Sequence, residues 1–150
     1  MNIFFEDLND GLKKILDRKV SICVIGIGTI GLPLATFLSN NGFFVKGLDV
    51  NQKRVDNVNQ GEITFEYSDI LKNLVNEKKL IATTDPEYAL KDCEIIMVCV
   101  PTPLNEKNEM DISNLFNVAK RISPLIQKGM LIIFESSVAI GTTSKISKHI

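Results

Sequence analysis

Three glycines in the stretch VSICVIGIGTIGLPLATFLSNNGFFVKGLD, Gly26, Gly28 and Gly31, are spaced G-x-G-x-x-G behind a short β-branched apolar run that begins at Val20. The residues that follow, GLPLATFLSNNG, carry the apolar pattern of a helix. A strand that turns on glycine into a helix is the context that gives this spacing weight. It leaves unpaired backbone N–H groups at a helix start, where they face an anion. Gly26 is expected to make the tight turn, Gly28 to admit a diphosphate to the backbone, and Gly31 to let helix and strand pack closely. The whole loop, Gly26-Ile27-Gly28-Thr29-Ile30-Gly31, is therefore a candidate diphosphate cradle. Asp49 closes the next apolar run, FFVKGLD. A carboxylate there accepts hydrogen bonds from both hydroxyls of an adenosine ribose and repels a 2′-phosphate, so NAD is expected over NADP. Lys53 and Arg54, just beyond it, soften that preference.

Other chemistry-bearing residues are sparse. Cys23 and Cys99 lie inside apolar runs, where a small buried hydrophobe is the expected role. Cys93 stands between Asp92 and Glu94, which discourages a thiolate. His149, the one histidine, has no obvious partner and is expected on a surface helix. No nucleophile, base and orienting group can be assembled from these residues, and no metal site is expected.

The elements that must position the cradle alternate along the chain. After an amphipathic leader over residues 1–19, with Phe5, Leu8, Leu12 and Ile15/Leu16 at helical spacing and Gly11 as its weak point, come five apolar runs read as strands: VSICVIG, FFVKGLDV, LIATT, CEIIMVCV and MLIIFESS. Helical patterns separate them: GLPLATFLSNNG, QKRVDNVNQG ending at Gly61, SDILKNLVNEKK capped by Ser68 or Asp69, DPEYALKD capped by Asp85 with Pro86 in its first turn, and DISNLFNVAKRISPLI, which Pro124 kinks or ends. TTSKISKHI opens one more helix. Alternation of this kind demands right-handed crossovers and a parallel sheet covered on both faces. The predicted fold is α/β, a Rossmann-type doubly wound parallel sheet of about five strands over residues 20–150. A sixth strand would follow the last helix, so an open sheet edge or a frayed C-terminal helix is expected, with a homodimer as one way of covering it.

Composition excludes several classes. The 150 residues carry 17 Lys and Arg against 18 Asp and Glu, a net charge of −1, which gives no electrostatic reason for nucleic acid or an anionic membrane as partner. No apolar run reaches the length of a spanning helix, and unpaired cysteines without a signal peptide predict the cytoplasm.

Four motifs in order, GIGTIGLPLA, DVNQKRV, VPTPL and FESSVAIGTT, together resemble the N-terminal domain of the UDP-glucose/GDP-mannose dehydrogenase family, and within it the UDP-N-acetylhexosamine 6-dehydrogenases. The leader helix, the PTPL wording and the GTT ending are most similar to the UDP-N-acetylglucosamine enzymes, with the UDP-N-acetylmannosamine enzymes close behind. The resemblance implies a two-step, NAD-dependent oxidation of a sugar-nucleotide CH2OH to a carboxylate through a cysteine thioester. It also implies that the UDP-sugar pocket, the catalytic cysteine and its lysine belong to a longer chain, of which these residues are the cofactor half. Arg54 matches the family position near the adenosine end, and Thr102, between Pro101 and Pro103, the hydroxyl of a stiff loop beside the cofactor. Ser137 falls where the family carries threonine near the nicotinamide, positioning a catalytic water; serine keeps that hydroxyl and loses the rotamer-restricting methyl. Glu135 matches the acid of the same motif. Two other readings stay open: a non-enzymatic NAD-binding module, and a β-hydroxyacid-type Rossmann dehydrogenase, which lacks the ESS…GTT sequence.

Overall fold

A computed structural model describes residues 8–63, 68–106 and 108–150. Five strands, β1 (Ser21–Ile25), β2 (Phe44–Leu48), β3 (Leu80–Thr83), β4 (Ile95–Val98) and β5 (Leu131–Phe134), form one sheet in the order β3-β2-β1-β4-β5. Every pairing is parallel. This is the doubly wound arrangement expected from the alternation. Strands are added outward to one side from β1 to β3 and to the other from β4 to β5, which makes the gap beyond the carboxyl ends of β1 and β4 the topological switch point.

Alternate residues of the central strands feed two apolar layers. Val24, Val45 and Leu80 point to the face covered by α2 (Gly31–Asn40), α3 (Gln52–Gln60) and α4 (Ser68–Asn76). Cys23, Ile25 and Ile96 point to the other face, under α5 (Pro86–Leu90), α6 (Ser113–Ile122) and α7 (Thr142–Ile146). Local signals set the ends. Gly61 closes α3 in the left-handed region, and the Asp85 carboxylate accepts the Glu87 N–H ahead of Pro86. Pro124 lies in a 3-10 turn, Ser123–Leu125, so it ends α6 rather than kinking it. α4 begins at Ser68, so Ser68 and Asp69 lie in its first turn and do not cap it as expected; the position ahead of them lies outside the described residues.

Three expectations are corrected. The N-terminal helix, α1, is described over Leu8–Leu16, and Phe5 lies outside the described residues. Its inward side is Gly11 and Ile15, while Leu12 and Leu16 face outward, Leu16 at 74% exposure. Gly11 and Ile15 are one turn apart, and the two leucines sit a residue further round. Second, Cys99 lies just beyond the end of β4 and is only half-buried. Third, His149 is exposed in the 3-10 turn Ser147–His149, as expected of a surface residue, but it does have a partner: its ring meets Phe116 edge-on, centroids 5.2 Å apart.

Lys46 is a charged residue buried mid-strand in β2. Its Nζ donates to the carbonyls of Tyr88 (3.1 Å) and Lys91 (2.6 Å) at the end of α5 and lies over the Tyr88 ring at 5.2 Å. Carbonyls at a helix C-terminus carry partial negative charge, so the ammonium is stabilised without a carboxylate.

The two sheet edges differ. Asn59 of α3 pairs with the outer edge of β3, its Oδ1 accepting the Ala82 N–H at 2.8 Å and its Nδ2 donating to the Ala82 carbonyl at 2.9 Å. β5 is partly exposed along its whole length.

Candidate functional site

At the switch point the carboxyl ends of the strands open into a crevice of about 820 Å3. Its lining includes Gly26, Gly28, Thr29, Ile30, Asp49, Arg54, Thr102, Glu135 and Ser137, so nearly all the predicted site residues come together. Ile27 and Gly31 are the exceptions: Gly31 is buried where α2 meets the Gly26 turn. The Ile27 side chain is buried in the space left by Gly47 of β2, and the residue touches the site only through its N–H, which donates to Asp49.

Two of the cradle glycines sit where a side chain would not fit. Gly26 has φ +87° and its N–H donates to the Leu48 carbonyl at 2.7 Å, tying the turn to β2. A Cβ on Gly31 would stand 1.9 Å from the Gly26 carbonyl oxygen, so only glycine lets α2 start this close to β1. A Cβ on Gly28 would meet only the Arg54 guanidinium, at 3.8 Å, which leaves the loop open to a ligand. α2 starts at Gly31 with no side chain capping it; the Leu32 N–H already donates to the Gly28 carbonyl at 3.1 Å and Pro33 has no N–H, so the donors left for an anion are those of the loop from Gly28 to Gly31.

Asp49 is buried at the end of β2, its side chain 5% exposed. One oxygen, Oδ2, accepts from the Ile27 N–H and the Arg54 guanidinium, each at 3.1 Å; the other, Oδ1, accepts from the Asn51 N–H at 3.0 Å. A carboxylate offers about four acceptor positions. One acceptor position is left unused by the protein, and the Arg54 side chain beside it is 42% exposed.

On the other side two hydroxyls stitch the loops beyond β4 and β5. Thr102 Oγ1 donates to the Ser137 carbonyl at 3.1 Å, and Ser136 Oγ to the Val100 carbonyl at 2.6 Å. Thr102 is thus first a strut between loops. Glu135 and Ser137 are exposed to the crevice. Burial, with Glu135 adding to it, pushes the Cys99 thiol up to about 11. Cys93 is likewise pushed up to about 11 by burial, and Cys23 higher still. None of the three is poised as a nucleophile near neutral pH. Among the described residues no cluster of metal-ligating side chains occurs, and no helix is long and apolar enough to cross a membrane.

Sequence reading missed one whole wall. Asn114, Asn117, Val118, Arg121 and Ile122 of α6 line the crevice. The signal was present as polar residues at i, i+3 and i+7, which on an amphipathic helix is indistinguishable from a solvated face. Ser136 was missed beside the neighbouring Ser137.

A sheet that reverses at a glycine turn, with an acid closing its second strand, defines a dinucleotide-binding Rossmann domain. A profile of the UDP-glucose/GDP-mannose dehydrogenase family, NAD binding domain, matches residues 20–150, and the chain belongs to this family. Among curated relatives, UDP-N-acetyl-D-mannosamine dehydrogenase of Methanococcus maripaludis is 38% identical over 136 residues, covering 86% of this chain and 31% of that enzyme. NDP-N-acetyl-D-galactosaminuronic acid dehydrogenase of Ralstonia nicotianae is 36% identical over 130 residues, covering 85% and 30%. The solved UDP-D-ManNAc dehydrogenase of Pyrococcus horikoshii superposes with a TM-score of 0.80 at 31% identity, over 86% of this chain and 31% of that one. The chain therefore spans about a third of the length of the relatives it matches. NAD is the cofactor of the domain, and the cradle and the buried acceptor at Asp49 fit it.

Proposed function

We propose that this chain is the cofactor-binding part of a UDP-N-acetylhexosamine 6-dehydrogenase that oxidises a sugar-nucleotide C6 hydroxyl to a carboxylate. The observation that carries this reading is the open glycine loop at the switch point, set against the buried Asp49 carboxylate. The loop Gly26–Gly31 holds the diphosphate with backbone donors. Asp49 takes the adenosine ribose and Arg54 flanks it. Thr102 fixes the loop beside the nicotinamide half, and Ser137 and Glu135 face the place where substrate meets cofactor. NAD supplies the hydride acceptor; the residues of this chain orient it and exclude the wrong dinucleotide. The covalent cysteine is not one of Cys23, Cys93 or Cys99, whose thiols are all raised by burial.

Of the sugars, the relatives named above support N-acetylmannosamine more directly than N-acetylglucosamine. Assay of the complete enzyme on both epimers decides between them. The cofactor reading is tested by calorimetry on this chain. NAD is expected to bind more tightly than NADP, and Asp49→Ala to weaken NAD more than NADP. Equal affinity of the parent for the two dinucleotides overturns the ribose assignment.

A further inference from the structure

We propose that Ser136 is a positioning residue for the nicotinamide end of the cofactor: with Thr102 it forms a two-way clasp that fixes where Ser137 and the 100–103 loop stand relative to the glycine turn. The inference rests on the cofactor placement above and concerns residues outside the glycine loop and the acid.

The 100–103 loop is held from outside. Pro101 and Pro103 have no N–H to donate. The Val100 carbonyl accepts from Ser136 Oγ at 2.6 Å, the Pro101 carbonyl from Asn114 Nδ2 at 2.9 Å and the Pro103 carbonyl from the Asp111 N–H at 2.8 Å. Each of these donors comes from a later segment of the chain. The near end of the loop has a fixed reference. A Cβ on Gly26 would stand 2.9 Å from the Cys99 carbonyl oxygen and 3.2 Å from Val100 Cγ1, so Val100 is seated against the glycine turn.

The bond from Ser136 is returned. Thr102 Oγ1 donates to the Ser137 carbonyl at 3.1 Å, so two hydroxyls cross between the loops in opposite directions. The pair Ser136-Ser137 is thereby held at both ends, by its first side chain and its last carbonyl. Ser137 has no methyl to restrict its χ1, so its hydroxyl turns freely, but the backbone that carries it is fixed. Losing either bond frees the same two loops, and the two bonds act as a unit. The adenosine side stands apart from this clasp. The Asp49 carboxylate takes its three hydrogen bonds from Ile27, Asn51 and Arg54, none of which belongs to either loop.

Calorimetric titration with NAD and with ADP, which carries the adenosine and the diphosphate but no nicotinamide, tests this. Ser136→Ala and Thr102→Val are each expected to weaken NAD by about fivefold and to leave ADP within about twofold of the parent. The double variant is expected to weaken NAD no further, because either single loss already opens the clasp. NAD and ADP weakening in step would mean that the two bonds only support the fold, and this overturns the inference. So does parental NAD affinity in either single variant, a double variant weakened by about 25-fold, or a parent that binds NAD but not ADP. If Asp49→Ala weakens both ligands in that case, the cofactor placement stands and only the clasp falls; a parent that does not bind NAD overturns both.

Discussion

The β2–β3 flank of the sheet is closed, and the β5 flank is open. On the closed flank Asp49 is buried under three hydrogen bonds and the β3 edge is clamped by Asn59. On the open flank β5 has no strongly buried residue, Glu135 and Ser137 are exposed, and Ile140, in the loop beyond, is fully exposed. Holding a dinucleotide requires donors and acceptors whose positions do not change, and these are built from segments close together in the chain. The half proposed to face the substrate is instead stitched by long-range side-chain bonds, loop to loop through Thr102 and Ser136 and from α6 through Asn114 to the Pro101 carbonyl. Preorganisation is concentrated at the Asp49 side of the crevice, and exposure along the β5 side.

The largest break in this comparison comes at the hinge between the flanks. In Gly31→Ala the new methyl would overlap the Gly26 carbonyl at 1.9 Å, so the turn and α2 must separate. A loss of about 3 kcal/mol in denaturant unfolding is expected, together with loss of NAD binding by calorimetry. Parental stability and binding would show that the crevice is not built on that close approach.

A smaller effect compares the two edges. Asn59→Ala leaves the Ala82 N–H and carbonyl unpaired at the rim of β3 and is expected to cost about 2 kcal/mol. Leu131→Thr on the open edge is expected to stay within about 0.5 kcal/mol. Hydrogen exchange gives an independent check, since the Ala82 amide should lose protection in the first variant while the β5 amides barely move in the second. Equal costs at both edges would erase the distinction.

The difference between the flanks also explains what the sequence made legible. Glycine spacing, strand–helix alternation and the Asp85-Pro86 cap are local signals, and each appears where it was read. Asp49 could be found because the acid ends its own strand. What escaped depends on long-range partners. Lys46 looks misplaced in an apolar run until α5 supplies carbonyls from residues 42 and 45 positions away. Arg121 reaches Thr84 across 37 positions. Thr102 carries a hydroxyl that its place between two prolines suits to a ligand, whereas it holds the Ser137 carbonyl 35 positions away. The inward face of α1 escaped for a different reason, since its apolar residues satisfy two adjacent helical stripes and only packing selects one.

The smallest effect sets two cysteines at opposite ends of one strand against each other. Cys93 precedes β4 at the closed amino edge, and Cys99 follows it in the crevice. Both thiols are pushed up to about 11 from an ordinary 9.0, chiefly by burial. As pH rises past 9 the unfolded thiols lose their protons first, so the folded state binds more protons and stability declines between about pH 9 and 11. Below that window the contribution is fully present. Cys93→Ala should flatten the alkaline slope by at most about 1.4 kcal/mol per pH unit, the limit for one proton. Cys99→Ala should flatten it less, because water reaches the crevice. Iodoacetamide at pH 8 separates the two sites directly. Cys99 should react first, slowed by NAD, and Cys93 only at the rate of unfolding. If both alkylate together, the amino end of β4 opens as readily as the crevice, and the closed character belongs to β2 and β3 alone.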